Sequence, residues 1–599
     1  MILVFGGTTE GRRSVEVLDE AGTPYFYSTK TGEQDIAPHH GLRLCGALDG
    51  SAMKRFCESQ SIRLIVDAAH PFASVLHQTI ADVALSLAIP VVRYERIFPP
   101  RQPDITWIDD YDQLPSDIHT LLATTGVQTI SRLKPLEQRG LRIFYRILPR
   151  EGSIRLAHQQ GANDHQLCYY EEGADEETCL RQLLPDAILL KESGLSGGFM
   201  SKVEAARRLG IRIFALKRPQ LPPSFHIVNG PHGLRRAVEH LLPEFFPLHS
   251  GLTTGTCATA AAIAATHLLN FSLSRTSFPP PLPSEVPVLL PDGETIHVAV
   301  GYGDDYAYCT KEAGDDPDVT DGLEIRAHVQ PSDHFEITAG EGIGIFTLPG
   351  FDFPPGSPAI NRTPREMIHQ NLLTLYSLQS PPPLKVTISA PQGKEIARRT
   401  FNPRLGIEGG ISIIGVSGIV KPFSEQAFIE SIRRCMQVAK ASGTKRIVIN
   451  SGAKSERFVK ALYPDLPQQA FVEYGNYIGE TLRMAHELCI PCVTLGVMLG
   501  KAVKLAAGHL DTHSRKSAMD KAFIHRLLRE ASCDIDLSDI TLARELWERI
   551  PANKMNDFAT TVVMHCEAYC RPLLPEGTLT ILLITDDGHI LPSLQAQGR

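Results

Sequence analysis

Apolar residues in the first quarter of the chain come in short runs separated by stretches with helical spacing. Ile2–Phe5, Tyr25–Ser28, Leu64–Ala68 and Pro90–Tyr94 read as buried strands. Gly11–Ala21, with Val15 and Leu18 on one face, and Val75–Leu87 read as helices between them. Alternation of this kind predicts a parallel sheet covered on both faces. A second set follows: strands over Ile143–Leu148 and Ala187–Lys191, a helix over Met200–Leu209 and a strand over Arg212–Leu216. It predicts a second α/β lobe. Breakers at Leu221-Pro222-Pro223 and Pro243-Glu244-Phe245-Phe246-Pro247 flank a helix over Leu234–Leu242 and place a junction near Leu248.

Beyond the junction an Ala-rich helix starts at Cys257. Val286–Leu290 and Thr295–Val300 flank Pro291-Asp292-Gly293, a hairpin signal, and Ser277–Pro283 reads as a solvated polyproline-like loop. Ala307–Ile413 is strand-rich with many glycines. From Ser424 the helix–strand alternation returns, with helices over Gln426–Ala441, Ser455–Leu462 and Tyr477–Leu488 and strands over Arg446–Asn450, Phe471–Tyr474 and Cys492–Met498. The predicted class is α/β: two Rossmann-like lobes, then an α+β lobe and a further Rossmann-like lobe. The expected boundaries are 1–247, with lobes at about 1–115 and 116–247, and 248–599, with lobes at about 248–423 and 424–599.

Composition narrows the class without changing it. A chain of 599 residues is too long for one core. Net charge is −8, which argues against a nucleic-acid coat or a polybasic membrane anchor. The longest apolar run, Ala258–Leu269, is broken by Thr and His and falls short of the ~18 residues of a membrane span. Met1–Phe5 lacks a basic n-region and reads as a first strand. The 12 cysteines are scattered, and the one Cys-x-x-Cys, Cys489-Ile490-Pro491-Cys492, reads as the start of a strand in preference to a redox or metal site. A cytoplasmic location is expected, with no nucleic-acid or membrane partner; a homo-oligomer is left open.

Gly6-Gly7-Thr8-Thr9-Glu10-Gly11 follows the first strand and opens the first helix. That is the setting of a dinucleotide site, where first-turn N–H groups meet a pyrophosphate. Thr8 stands where the G-x-G-x-x-G fingerprint has its middle glycine, so a tight turn without a ligand is the competing reading. The second strand ends in Tyr27-Ser28-Thr29-Lys30, whose hydroxyls and lysine suit a 2′-phosphate better than a bare diol. His70 and Lys191 stand at or beside strand C-termini. His70 could donate a proton or bind a carboxylate, or it caps its own loop. Lys191 and Ser193 suit an anchor for phosphate or propionate.

Five blocks occur in order over about residues 1–245: Gly6-Gly7-Thr8-Thr9-Glu10, Asp67-Ala68-Ala69-His70-Pro71-Phe72-Ala73, Thr124-Thr125-Gly126, Arg146-Ile147-Leu148-Pro149, and Lys191-Glu192-Ser193-Gly194 with Gly197-Gly198. Together they resemble the precorrin-6A reductase family of corrinoid biosynthesis. The resemblance implies two Rossmann-like lobes with the site in their cleft, and reduction of one macrocycle double bond by NADPH or NADH. The candidate cofactor residues are then Gly6, Gly7, Thr8, Thr9, Glu10, Ser28, Thr29, Gly126, Lys191 and Ser193, with His70 as the catalytic candidate.

Leu252-Thr253-Thr254-Gly255-Thr256-Cys257 opens the Ala-rich helix. Its hydroxyls and first-turn N–H groups would attract anions, or simply cap the helix. Cys257 as a nucleophile lacks a visible base. Asp315, Asp316 and Asp318 share a Gly/Pro turn that suits a divalent metal, a helix cap or a cationic ligand. His509 and His513 stand four apart, which would hold a metal only on a continuous helix with a third ligand; no metal is assigned.

These segments are joined in order by Phe401-Asn402-Pro403-Arg404-Leu405-Gly406-Ile407, Gly500-Lys501-Ala502-Val503-Lys504-Leu505-Ala506-Ala507-Gly508 and Thr512-His513-Ser514-Arg515. Over about residues 248–599 they resemble the cobalt-precorrin-5B C1-methyltransferase family. The resemblance implies methyl transfer from S-adenosylmethionine to a ring carbon. Thr253, Thr254, Gly255, Thr256, Arg404, Lys501, Lys504 and Arg515 then suit the acetate and propionate groups of a tetrapyrrole. Asp315 and Asp316 are the catalytic candidates, and Gly452 and Glu473, beside Ser451, are the candidates for holding the methyl donor. Ser451-Gly452-Ala453-Lys454 departs from the Gly-Asn-rich turn expected there.

The chain thus reads as a fusion in which one half makes the other's substrate, raising the local concentration of the intermediate. The alternatives are a corrinoid-binding protein with one active half, and an unrelated NADP-dependent oxidoreductase with a structural C-terminal half.

Overall fold

The computed structural model describes residues 1–30, 32, 34–170, 175–273, 281–377, 383–513, 516, 520–537, 540 and 545–591. They fall into two units, Met1–Ser250 with Asp292–His297, and Gly251–Pro291 with Val298–Arg599.

The first unit contains two six-stranded parallel sheets. Strands β1 (Ile2–Phe5), β2 (Tyr25–Thr29), β3 (Gly41–Cys45), β4 (Leu64–Asp67) and β5 (Val91–Tyr94) pair in the order β3-β2-β1-β4-β5. Strands β6 (Thr106–Ile108), β7 (Thr120–Ala123), β8 (Arg142–Ile147), β9 (Leu167–Tyr169), β10 (Ala187–Lys191) and β11 (Arg212–Leu216) form the second sheet, in the order β9-β8-β7-β10-β11-β6. Strand β12 (His226–Val228) returns to pair with β5. Both sheets have the Rossmann order, reversing between β1 and β4 and between β7 and β10. Ligand crevices open at such reversals, beyond the strand C-termini.

Near-continuous apolar strands follow from cover on both faces. Ile2, Val4, Tyr25 and Val66 pack on one side against Leu234, Val238 and Phe245. Leu3, Phe5, Phe26 and Ile65 pack on the other against Met53, Ile80 and Val83.

A cut at 115/116 does not separate the sheets. β6 precedes it yet pairs with β11, and β12 lies far beyond it yet completes the first sheet. Thr106-Trp107-Ile108 and His226-Ile227-Val228 are three-residue segments with no period of their own, so the open sheet edge decides their partner. Helix Pro231–Leu241 has no side-chain cap from its preceding residue; the Glu294 carboxylate accepts the N–H of His232 (3.0 Å) and of Gly233 instead. His232, Asp292 and Glu294 place donor atoms within 4.8 Å of one another, but the cap occupies both Glu294 oxygens.

In the second unit helix Thr254–Leu273 is buried on every side through Thr266. Its alanines let a five-stranded sheet (Gly301–Tyr302, Ala307–Thr310, Glu324–Pro331, Leu384–Ser389, Glu336–Ala339) and helix Arg362–Tyr376 pack closely on it. Among the described residues this helix alone is long and apolar enough to cross a membrane, with a mean hydropathy of 1.2. Thr and His interrupt the apolar run, so the run by itself is shorter than a span although the window average is high enough. With 61% of that window buried it is a core helix. Helix Arg362–Tyr376 lies in the region expected to be strand-rich.

The rest of the unit is an α/β lobe. Strands Phe471–Glu473, Arg446–Asn450, Cys492–Met498 and Thr578–Ile584 run parallel in that order, and Ile590–Leu591 adds an antiparallel edge. The order reverses between Arg446–Asn450 and Cys492–Met498. Part of the polyproline-like loop, residues 277–280, lies outside the described residues.

Candidate active sites

At the first reversal of the N-terminal unit the glycine turn is used by the protein itself. Thr8 Oγ1 accepts the N–H of Gly11 (3.0 Å) and donates to the Ala68 carbonyl (2.6 Å), tying β1 to β4. A Cβ on Gly6 or Gly11 would collide with the Tyr27 hydroxyl, so both glycines serve close packing. The Gly7 N–H is taken by the Tyr27 hydroxyl (3.2 Å) and Gln34 Oε1 (3.1 Å). Thr9 is exposed, and Ser28 and Thr29 are buried at the end of β2. Glu10 is buried at the helix N-terminus, pairs with Arg96 (2.9 Å) and accepts from Ser196 Oγ (2.6 Å). A pyrophosphate in this turn would meet that carboxylate.

The open space lies at the second reversal. A cavity of about 450 Å³ sits over the C-termini of β7, β8 and β10. It brings together His70, Gly126, Lys191 and Ser193 from the sequence-derived set, and adds Arg96, Arg146 and Lys202. Arg146 opens the Arg146-Ile147-Leu148-Pro149 block; Arg96 and Lys202 carry no local signal.

The lining is cationic. Arg146 and Lys202 (3.1 Å) share the Glu176 carboxylate, and Arg96 is held by Glu10 and by the Ser193 carbonyl (2.8 Å). Arg146 Nε is buried without a hydrogen-bond partner among the described residues. Lys191 has no carboxylate partner among the described residues; its ammonium lies 5.0 Å from the Phe72 ring centroid. Burial, with Arg132 adding to it, pushes the Lys191 ammonium down to about 8. His70 is pushed down to about 3, by burial first and then by Arg96 and Lys191. His70 Nδ1 accepts the Phe72 N–H (3.2 Å), so the neutral ring carries its proton on Nε2. It is a hydrogen-bond donor and not an acid near neutral pH.

In the second unit the Thr253–Thr256 turn is closed. Thr253 N donates to the Gly418 carbonyl (3.1 Å), Gly255 N to Ile414 O (2.9 Å) and Thr256 N to Thr253 Oγ1 (3.2 Å). Thr254 Oγ1 accepts the Ile414 N–H (2.8 Å), and Thr256 Oγ1 donates to Gly418 O (2.6 Å). The N–H groups of Thr253, Gly255 and Thr256 and the hydroxyls of Thr254 and Thr256 are thus used within the turn and in holding segment 412–418.

The acidic turn is likewise internal. Asp318 pairs with buried Lys311 (2.7 Å) and accepts from Thr320, while Asp316 accepts the Phe423 N–H (3.0 Å). Asp315 is exposed. His509 and His513 lie beyond the end of helix Leu499–Ala506, so they do not share a helical face. Arg515 lies outside the described residues.

Four of the expected residues gather at the strand ends of the α/β lobe. Gly452 has φ +143° and begins helix Ala453–Leu462 with no side-chain cap; a Cβ there would lie 3.3 Å from Glu473 Oε1. Asn450 and Glu473 are in register on adjacent strands. Burial raises the Glu473 carboxyl above its usual range, opposed by Arg404 and Lys501 and reinforced by Glu456. Glu473 makes no ion pair among the described residues. Arg404 pairs with Glu456 (2.8 Å). Lys501 donates to the Gly475 carbonyl and lies 5.6 Å from the Tyr474 ring centroid; burial pushes it down to about 8. Lys504 donates to Thr512 O (3.3 Å).

Comparison with known proteins matches this division. The precorrin-6x reductase CbiJ/CobK family matches residues 1–239 and the CbiD family matches residues 243–422. A cobalt-precorrin-5B C(1)-methyltransferase of Prosthecochloris aestuarii is 42% identical over 363 residues, covering 57% of this chain and 96% of the relative. One from Geobacillus kaustophilus is 38% identical over 362 residues, covering 56% and 91%. A solved structure described as CobK precorrin-6A reductase is 19% identical, covering 40% of this chain and 96% of that one, with a TM-score of 0.35. The chain therefore belongs to the cobalt-precorrin-5B C(1)-methyltransferase family through its C-terminal part, fused behind a precorrin-6x reductase of the CbiJ/CobK family, and it is a methyltransferase and a reductase in one polypeptide.

Proposed function

We propose that residues 248–599 methylate cobalt-precorrin-5B at C1 with S-adenosylmethionine. Residues 1–247 then reduce the resulting cobalt-precorrin-6A with NADPH or NADH. The observation that supports the reductase reading most is the cationic cavity at the β7/β10 reversal. Its unpartnered Arg146 Nε and carboxylate-free Lys191 fit a polyanion. We assign the dinucleotide phosphates to Arg146, Lys202 and the Gly126 turn, ahead of Gly6–Glu10, where Glu10 already fills the helix terminus. A reduced nicotinamide, when bound, supplies the hydride. His70 Nε2–H holds a substrate oxygen, Lys191 Nζ holds the proton that completes the addition to the double bond, and Ser193 fixes Arg96 through its carbonyl.

Arg146→Ala tests the assignment. Loss of one charge-assisted contact is expected to raise KM for the nicotinamide about tenfold or more, with KM for the tetrapyrrole unchanged. A rise confined to the tetrapyrrole would give the cavity to the macrocycle.

For the methyltransferase, Glu473 and Gly452 fit a cationic donor: a partly buried carboxylate without an ion pair lies against a glycine that leaves space. A sulfonium, when bound, supplies the methyl group. Glu473 neutralises it, the uncapped starts of helices Ala453–Leu462 and Leu499–Ala506 face anionic groups, and Lys501 and Arg404 hold substrate carboxylates. Glu473→Gln is expected to raise KM for the methyl donor about tenfold. Because the folded Glu473 carboxyl is raised, donor binding weakens as pH falls through that value. An unchanged KM with an unchanged pH profile would remove Glu473 from the site. Mass analysis of the product decides the function itself: one methyl gained with the donor, and two further hydrogens with reduced nicotinamide.

A further inference from the structure

The buried polar network beneath the His70 turn has no part in the chemistry above. Asp67, His77, Arg93 and Glu95 are all at most 7% exposed. Asp67 is the hub. Its Oδ2 lies 2.6 Å from His77 Nδ1, and its Oδ1 accepts from Arg93 (2.9 Å) and from the Ala69 N–H (3.1 Å). Arg93 reaches on to Glu95 (3.2 Å).

The other ring nitrogen of His77, Nε2, lies 3.2 Å from the His70 carbonyl, which also accepts the Ala73 N–H (2.8 Å). Both nitrogens of His77 therefore face oxygens that only accept. The ring thereby bridges the Asp67 carboxylate and the carbonyl of the His70 turn. Arg93, paired with both carboxylates, offsets the charge of Asp67 and Glu95, which is how a buried network of this kind is tolerated.

We propose that His77 is a positioning residue of the reductase site. Held by Asp67 against the His70 carbonyl, it fixes turn 70–73 so that His70 aims its Nε2–H into the cavity. The inference rests on the reductase reading for its consequence, but its geometry is tested separately. Asp67 and His77 are ten residues apart, on β4 and on helix Ser74–Leu87, and the His70 turn is the chain between them. The dyad thus pins both ends of the loop that carries the cavity's histidine. A side chain displaced by a fraction of an ångström loses its alignment with the reacting groups.

Two conservative variants of the full chain separate the two bonds. In His77→Asn the amide stands in for Nδ1 and keeps only the Asp67 bond. In His77→Gln it stands in for Nε2 and keeps only the carbonyl bond. His77→Asn is expected to lower kcat for reduction about tenfold or more with KM for the nicotinamide little changed, and His77→Gln to retain most of the rate. Nitrogen-15 spectra of histidine-labelled chain give a readout independent of turnover. In the wild type His70 should show a single Nε2–H tautomer; in His77→Asn the His70 signal should become a mixture. Wild-type kcat in His77→Asn with an unchanged His70 signal would overturn the proposal, as would an Nδ1–H tautomer at His70 in the wild type. A chain that never reduces a tetrapyrrole would defeat the reductase reading, while the spectra would still decide the role of His77.

Discussion

Replacing Lys191 by methionine is expected to slow tetrapyrrole reduction by about 10²–10³-fold and to leave methyl transfer unchanged. Hydride addition to a double bond leaves a carbanion-like partner that needs a proton. His70 does not supply it near neutral pH, because burial and the cations around it hold its ring neutral. Lys191 faces the same cavity with its ammonium pushed down to about 8, close to the ambient pH and so matched to giving up a proton. A lysine is cationic below this value. Activity that needs the ammonium should therefore hold below pH 8 and fall about tenfold per unit above it. Methionine keeps the contact with Phe72 and removes the proton. The alkaline fall should vanish from the residual rate of the variant. A variant with wild-type kcat, or a wild-type profile flat from pH 7 to 10, would assign the proton elsewhere.

Asp318→Ala is expected to destabilise the second unit by about 2–4 kcal/mol, measured as denaturant or thermal unfolding. Lys311 is 2% exposed, and among the described residues Asp318 is its ion-pair partner. Removing the carboxylate strands an ammonium in the interior. The range is set below that of a fully buried pair because about a quarter of the Asp318 side chain is exposed. Burial by itself would raise the Asp318 carboxyl, but Lys311 and the Thr320 hydrogen bonds hold it below its ordinary value. A depressed carboxyl stabilises the fold above the unfolded pKa, and that stability is lost as pH falls through the folded one. The double variant Lys311→Met with Asp318→Leu should recover most of the loss, since it leaves no unpaired charge. If Asp318→Ala unfolds like the wild type but no longer transfers methyl groups, the acidic turn is catalytic after all.

The glycine turn at Gly6–Gly11 shows how far local signals reach. Its position between a strand and a helix was legible, because apolar runs and helical spacing are properties of neighbouring residues. Its occupant was not. Tyr27 and Gln34 fill the Gly7 donor, and Glu10 reaches Arg96 and Ser196 across long stretches of sequence. The Thr253–Thr256 turn repeats the lesson, since the carbonyls that close it come from residues some 160 positions away. Glu473 and Gly452 could be placed near one another from the sequence because each sits at a strand terminus that the pattern itself marks.

By itself the sequence determined the two-enzyme division, the α/β class and the strands whose cores are continuous apolar runs, because burial on both faces leaves an imprint on every residue of such a strand. Only the tertiary structure decided which crevice is open, which sheet each three-residue edge strand joins, and which polar groups are already partnered. Those outcomes depend on pairings between distant segments, and hydrogen-bond satisfaction and charge balance are settled there, not along the chain.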